Sequence, residues 1–95
     1  MNTNLEQIKK KVIPVLKQAG VTRSAIFGSY VRGEERKSSD IDILVELPEG
    51  KSLLDLVRLE RRLEGILGKK VDLITYNSIH PLLKNYIERD QLQIL

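Results

Sequence analysis

Two aspartates, Asp40 and Asp42, flank Ile41 at the head of the apolar run Ile43-Leu44-Val45. In an extended strand, residues two apart face the same side and lie roughly 6.5 to 7 Å apart along the chain. Both carboxylates therefore share one face, while Ile41, Ile43, Val45 and Leu47 line the other. Like charges held that close repel and favour the protonated form unless a cation or a strong donor neutralises them. A divalent cation is the simplest neutraliser, and an all-oxygen site suits Mg²⁺, which takes one or two carboxylates plus substrate phosphates.

Upstream, Ala25-Ile26-Phe27 runs into Gly28-Ser29. A strand that breaks at Gly28 and feeds a short helix presents free N–H groups and a positive dipole end, which together seat an anion. Gly28 lets backbone approach a phosphate without a Cβ in the way, and Ser29 adds a hydroxyl donor. Phosphate on one side and metal on the other is the layout of phosphoryl or nucleotidyl transfer. Arg32, one helical turn on, either clamps phosphate oxygens two at a time or pairs with Glu34, Glu35 or an acidic strand residue.

The remaining elements must hold these groups. Residues 4–19 carry a helical stripe of Leu5, Ile8, Val12, Val15, Leu16 and Ala19, with Pro14 expected to kink or split the helix and Gly20 to end it. Residues 22–27 read as the first strand, residues 28–34 as a short helix or turn, and residues 34–39 as an exposed loop. The second strand, residues 41–47, stops at Pro48-Glu49-Gly50, with Glu46 expected in solvent. A calcium loop of the EF-hand kind also uses Asp-x-Asp, but Leu44 and Val45 stand where a third ligand and the glycine belong.

Ser52 caps a helix running to Leu67, with Asp55 as the reciprocal acid and Gly68 as its stop. Leu56, Leu59, Leu63, Ile66 and Leu67 form its buried stripe, and the charged positions between Arg58 and Glu64 read as a solvated face. A third strand over residues 70–75 carries Asp72 between Val71 and Leu73. Beside the second strand, Asp72 reaches the face of Asp40 and Asp42; at an edge it pairs instead with Lys69 or Lys70. Residues 79–89 look helical, with Pro81 in the first turn, Leu82, Leu83, Tyr86 and Ile87 as packing residues, and His80 a turn residue. Leu92 to Leu95 forms an edge strand or a docking tail.

A chain of 95 residues points to one domain that buries about 60 to 65% of its unfolded surface. Sixteen Lys and Arg against 13 Asp and Glu leave a net charge of +3, too mild and dispersed to argue for nucleic acid. The absence of cysteine removes thiolate metal sites and disulfides. With no signal-peptide core at Met1 to Glu6 and no apolar run near the ~18 residues of a membrane span, a cytoplasmic protein is expected.

Gly28-Ser29, ten residues, then Asp40-Ile41-Asp42 resembles the signature of the DNA polymerase β-type nucleotidyltransferase superfamily. With Arg32-Gly33-Glu34 and the short chain, the sequence is most similar to the minimal nucleotidyltransferases. The resemblance is specific from about Ala25 to Leu47. It implies an α/β (α+β) fold, a small mixed sheet flanked by helices, with Asp40, Asp42 and Asp72 as catalytic metal-holding carboxylates. Gly28, Ser29 and Arg32 would bind nucleotide, Mg²⁺ would be the cofactor, and Asp72 would also accept the attacking hydroxyl's proton. The implied reaction transfers AMP from ATP to a tyrosine hydroxyl of a cognate HEPN-domain toxin, making this protein its antitoxin. The alternative is a binding module that neutralises the toxin by covering it. Modification of a small molecule such as an aminoglycoside is disfavoured because no further domain is available to enclose one. Homo-oligomerisation is compatible with the sequence.

Overall fold

The computed structural model describes residues 3–33, 40–89 and 91–95. Its elements run α1 (Thr3–Gln18), β1 (Arg23–Phe27), α2 (Ser29–Arg32), β2 (Ile41–Glu46), α3 (Leu53–Leu67), β3 (Val71–Thr75), a 3₁₀ turn (Tyr76–Ser78), α4 (Pro81–Arg89) and β4 (Leu92–Gln93). The strands form one mixed sheet in the order β3-β2-β1-β4. β1 is antiparallel to both β2 and β4, whereas β2 and β3 are parallel, joined by the α3 crossover. This is the α/β (α+β) architecture expected for a small mixed sheet with helices.

The register sorts the sheet into two faces, because paired residues on neighbouring strands project to the same side. On one face Ser24, Ile26, Ile41, Ile43, Val45, Val71 and Leu73 are buried. Ile8, Val12, Val15 and Leu16 of α1 and Leu59 and Leu63 of α3 join that core. On the opposite face three rows cross the sheet. Phe27, Asp42 and Asp72 form the first, Ala25, Leu44 and Ile74 the second, and Arg23 and Glu46 the third, which Tyr76 continues in sequence just past β3. The middle row is apolar, and Ala25 and Leu44 in it are fully buried.

α1 does not split at Pro14: the helix continues through it to Gln18. Pro14 is exposed, and so is Lys10, whose carbonyl loses its helical partner to the proline. Gly20 (φ 82°) follows α1 and Gly68 (φ 66°) ends α3, both in the left-handed region suited to glycine. The start of α3 is capped as the sequence implies. Asp55 accepts the Ser52 N–H at 2.8 Å, and its Oδ2 lies 3.2 Å from the Ser52 hydroxyl. At the far end the C-terminal segment is an edge strand. Its Ile94 N–H donates to the Ser24 carbonyl at 2.9 Å, and Ile94 and Leu95 pack against the core. The Ser24 hydroxyl, fully buried, donates to the Leu44 carbonyl at 2.7 Å.

Two packing expectations fail. Leu82 is 85% exposed, so it does not serve as a packing residue of α4, and Ile66 is 40% exposed at the end of the α3 stripe. The loop expected over residues 34–39 lies outside the described residues, as do the side chains of Leu83 and Tyr86.

Leu63→Ala should cost about 2–5 kcal/mol, since it opens a cavity where α3 meets the core, as read by urea unfolding. The Asp55 carboxyl is held below the usual carboxylate range, first by the Ser52 amide and then by the Ser52 hydroxyl. A depressed folded-state value means that its contribution is full above about pH 3.9, the unfolded value, and is lost as pH falls through the folded one. Asp55→Asn should therefore lower stability at neutral pH and flatten the loss on acidification below about pH 4. Unfolding curves collected from neutral to acidic pH check this.

Candidate active site

The site is built where β1 ends and β2 begins. Phe27 is the last residue of β1, and Gly28 turns the chain with φ +82° into the single helical turn α2. The Val31 N–H donates back to the Gly28 carbonyl at 3.1 Å, closing that turn. Tyr30, only 2% exposed, anchors α2 in the core, and Lys69 lies over its ring at 5.9 Å.

Phe27 pairs with Asp42 across the antiparallel ladder, which brings the Gly28 turn against the Asp42 side chain. A Cβ added at Gly28 would overlap Asp42 Oδ2 and stand 3.3 Å from its Cγ. Glycine is thus required twice here, by the positive φ and by the carboxylate pressed against its backbone. Asp42 itself is half-buried.

Asp72 is the in-register neighbour of Asp42 on the parallel strand β3, so the two carboxylates project to one face from strands about 4.8 Å apart. Asp72 is exposed on this outer strand of the sheet. Asp40 sits one residue before β2 and is exposed; the strand begins at Ile41, whose N–H donates to the Lys70 carbonyl at 3.0 Å. Ser29 and Arg32 bracket α2, and their side chains lie outside the described residues.

Among the described residues no group of three His, Cys, Asp or Glu side chains is close enough to hold a metal ion. The pair that the register brings together is Asp42 with Asp72. That donor set, two hard carboxylates on one face, fits Mg²⁺, whose remaining ligands are ordinarily phosphate oxygens and water.

Other polar groups fall away from this pair. Glu46, four residues along β2, is exposed, lies 3.5 Å from Arg23 and accepts the Thr22 hydroxyl at 3.0 Å. Arg23 stacks over Tyr76 at 3.9 Å, and burial pushes the Tyr76 hydroxyl above its ordinary value. His80 is exposed, and its Nδ1 accepts the Leu82 N–H at 3.2 Å, the turn role expected of it. A small cleft of about 150 Å³ lies beside α3, lined by residues such as Ala19, Leu47, Leu59 and Arg62, none of them from the acidic row.

The sequence reading missed the environment of Glu60 and Glu64. Both were read as part of a solvated charged face, yet both are half-buried and accept backbone N–H groups of β3. Their spacing of four on a helix is the only sequence signal that could have suggested a shared target.

The nucleotidyltransferase domain model matches residues 9–92. The chain belongs to this nucleotidyltransferase domain family. A protein of Methanocaldococcus jannaschii named as a protein adenylyltransferase is 60% identical over 92 residues, covering 97% of this chain and 99% of its own length. A solved structure described as a minimal nucleotidyltransferase is 38% identical, with a TM-score of 0.81 over 93% of this chain and 90% of that one. A chain of a toxin–antitoxin crystal structure with AMP-PNP is 26% identical, also with a TM-score of 0.81, over 92% of this chain and 72% of that one. Among the described residues of this nucleotidyltransferase domain, no helix is long and apolar enough to cross a membrane.

If the Gly28 turn is built around the Asp42 carboxylate, Gly28→Ala should destabilise the protein by about 1–3 kcal/mol from backbone strain and overlap together. The Gly28→Ala, Asp42→Ala pair should lose less than the sum of the single variants, because only the overlap is relieved. Urea unfolding midpoints of the four proteins measure that coupling.

Proposed function

We propose that this protein is a magnesium-dependent adenylyltransferase. It moves AMP from ATP to a tyrosine hydroxyl of a partner HEPN toxin and acts as that toxin's antitoxin. The observation that carries the reading is the row in which Asp42 and Asp72 stand in register, with the Gly28 turn pressed against Asp42. Support comes from the relative named as a protein adenylyltransferase, similar over its whole length, and from the toxin–antitoxin structure with AMP-PNP. The HEPN class of the partner and the tyrosine acceptor follow from the motif resemblance.

In this reading the amides of Gly28 and Ser29 take the outer phosphates of ATP, and Arg32 clamps them with its guanidinium fork. Asp40 and Asp42, with Asp72 beside them, would hold Mg²⁺ against the triphosphate. The ion, when bound, offsets the charge of the phosphates and of the leaving pyrophosphate. The tyrosine oxygen attacks the α-phosphorus, the bond from that phosphorus to the β-phosphate bridging oxygen breaks, and pyrophosphate leaves with the electron pair. Asp72 accepts the proton of the attacking hydroxyl. AMP on the toxin adds bulk and negative charge, which silences it.

The test combines the protein, ATP labelled on the α-phosphate, Mg²⁺ and the HEPN protein encoded beside it. Label should move to a tyrosine of the partner, and chelation of Mg²⁺ should stop transfer. Asp42→Asn should lower the rate by at least a hundredfold while leaving the unfolding midpoint near that of the parent. Full neutralisation of the toxin by that variant would overturn the enzymatic reading in favour of a binding module.

A further inference from the structure

β3 is an outer strand of the sheet, so one side of its backbone has no neighbouring strand. α3 supplies what a strand would have supplied. The Val71 N–H donates to Glu64 Oε2 at 3.0 Å, and the Leu73 N–H donates to Glu60 Oε1 at 3.2 Å. These amides belong to the residues on either side of Asp72. Backbone N–H groups alternate along a strand, so the Asp72 amide faces β2 while its two neighbours face outward.

The match has a geometric cause. Two residues four apart on a helix are separated by about 6 Å of rise, and two amides two apart on a strand by about 6.6 Å. A helix running back along a strand can therefore place one carboxylate on each outward amide. Leu59 and Leu63, next to the two glutamates in sequence, are buried in the core and fix the helix at that height. Carboxylate acceptors make these bonds stronger than neutral ones.

We propose that Glu60 and Glu64 are positioning residues for Asp72. This inference rests on the reading of Asp72 as the group that receives the acceptor's proton. Asp72 is exposed and stands in register opposite Asp42, so the backbone of β3 sets where its side chain can reach. β2 fixes one side of that backbone and the glutamate pair fixes the other. The clamp acts through main-chain atoms and touches neither nucleotide nor acceptor.

The experiment compares Glu60→Ala/Glu64→Ala with Glu60→Gln/Glu64→Gln, each in the parent and in an Asp72→Asn background. Transfer of AMP to the partner and hydrogen exchange at Val71 and Leu73 are read well below the unfolding temperature. A glutamine side-chain oxygen can still accept an N–H, whereas alanine cannot. The alanine pair should lower kcat about tenfold with KM for ATP unchanged and should lose protection at both amides. The glutamine pair should stay within about twofold of the parent in kcat and keep protection. In the Asp72→Asn background the alanine pair should change the residual rate less than about twofold. Parent-like kcat in the alanine pair would overturn the proposal, as would an undiminished tenfold loss in the Asp72→Asn background, which marks a general structural role. A parent chain that transfers nothing would instead sink the adenylyltransferase reading and this role with it.

Discussion

Two negatively charged side chains standing side by side on parallel strands set the terms for the rest of this molecule. At about 5 Å and an effective dielectric near 20, like unit charges repel by about 3 kcal/mol, and water at an exposed position reduces that toward 1 kcal/mol. Such a pair is tolerable when one member is exposed, as Asp72 is. The Gly28 turn leaves no room for a side chain where it meets Asp42, so the half-buried carboxylate is boxed in by backbone. On the proposed reading this is the place for Mg²⁺, which is ordinarily bound together with substrate phosphates.

The rest of the fold can be understood as rigid support for that pair. α1 and α3 pack their apolar stripes on one side of the sheet and leave the acidic row on the other. The α3 crossover makes β2 and β3 parallel, and parallel pairing in this register sets Asp42 beside Asp72. An antiparallel connection through a tight hairpin would reverse β3 and change its register. The crossover helix then does a second job, since its glutamates satisfy the open edge of the strand it delivers.

Much of this was legible because it rests on local signals. Alternation around Asp42 and Asp72, the Ser52 and Asp55 cap, and the glycine stops after α1 and α3 each follow from a few adjacent residues. Pro14 did not split α1 because a helix can run on past one lost hydrogen bond at an exposed position. Leu82 misled because hydrophobicity predicts burial only where a neighbouring element exists to cover the side chain. Glu60 and Glu64 were opaque for a different reason. Whether a helical glutamate faces water or a strand edge depends on which strand lies at the sheet's border, and strand order is not a local property. The grouping of Asp40 with the other two aspartates rests on strand alternation as well as on the motif resemblance; Asp40 lies one residue before β2, and the register pairs Asp42 with Asp72.

The far end of the same face bears on where an acceptor hydroxyl could come from. Tyr76 lies four residues beyond Asp72, about 13 Å away along an extended chain. Its ring is covered by the Arg23 guanidinium, and burial keeps its hydroxyl protonated well past neutral pH. Tyr30 is buried in the core beneath α2. Tyr76 is thus held at the far end of this face by its packing against Arg23. The apolar row between that row and Tyr76 presents no hydroxyl: Ala25, Leu44 and Ile74 have only carbon beyond the backbone. On the proposed reading the acceptor hydroxyl belongs to the partner, and the exposed Asp72 at the end of this face is where it would be received.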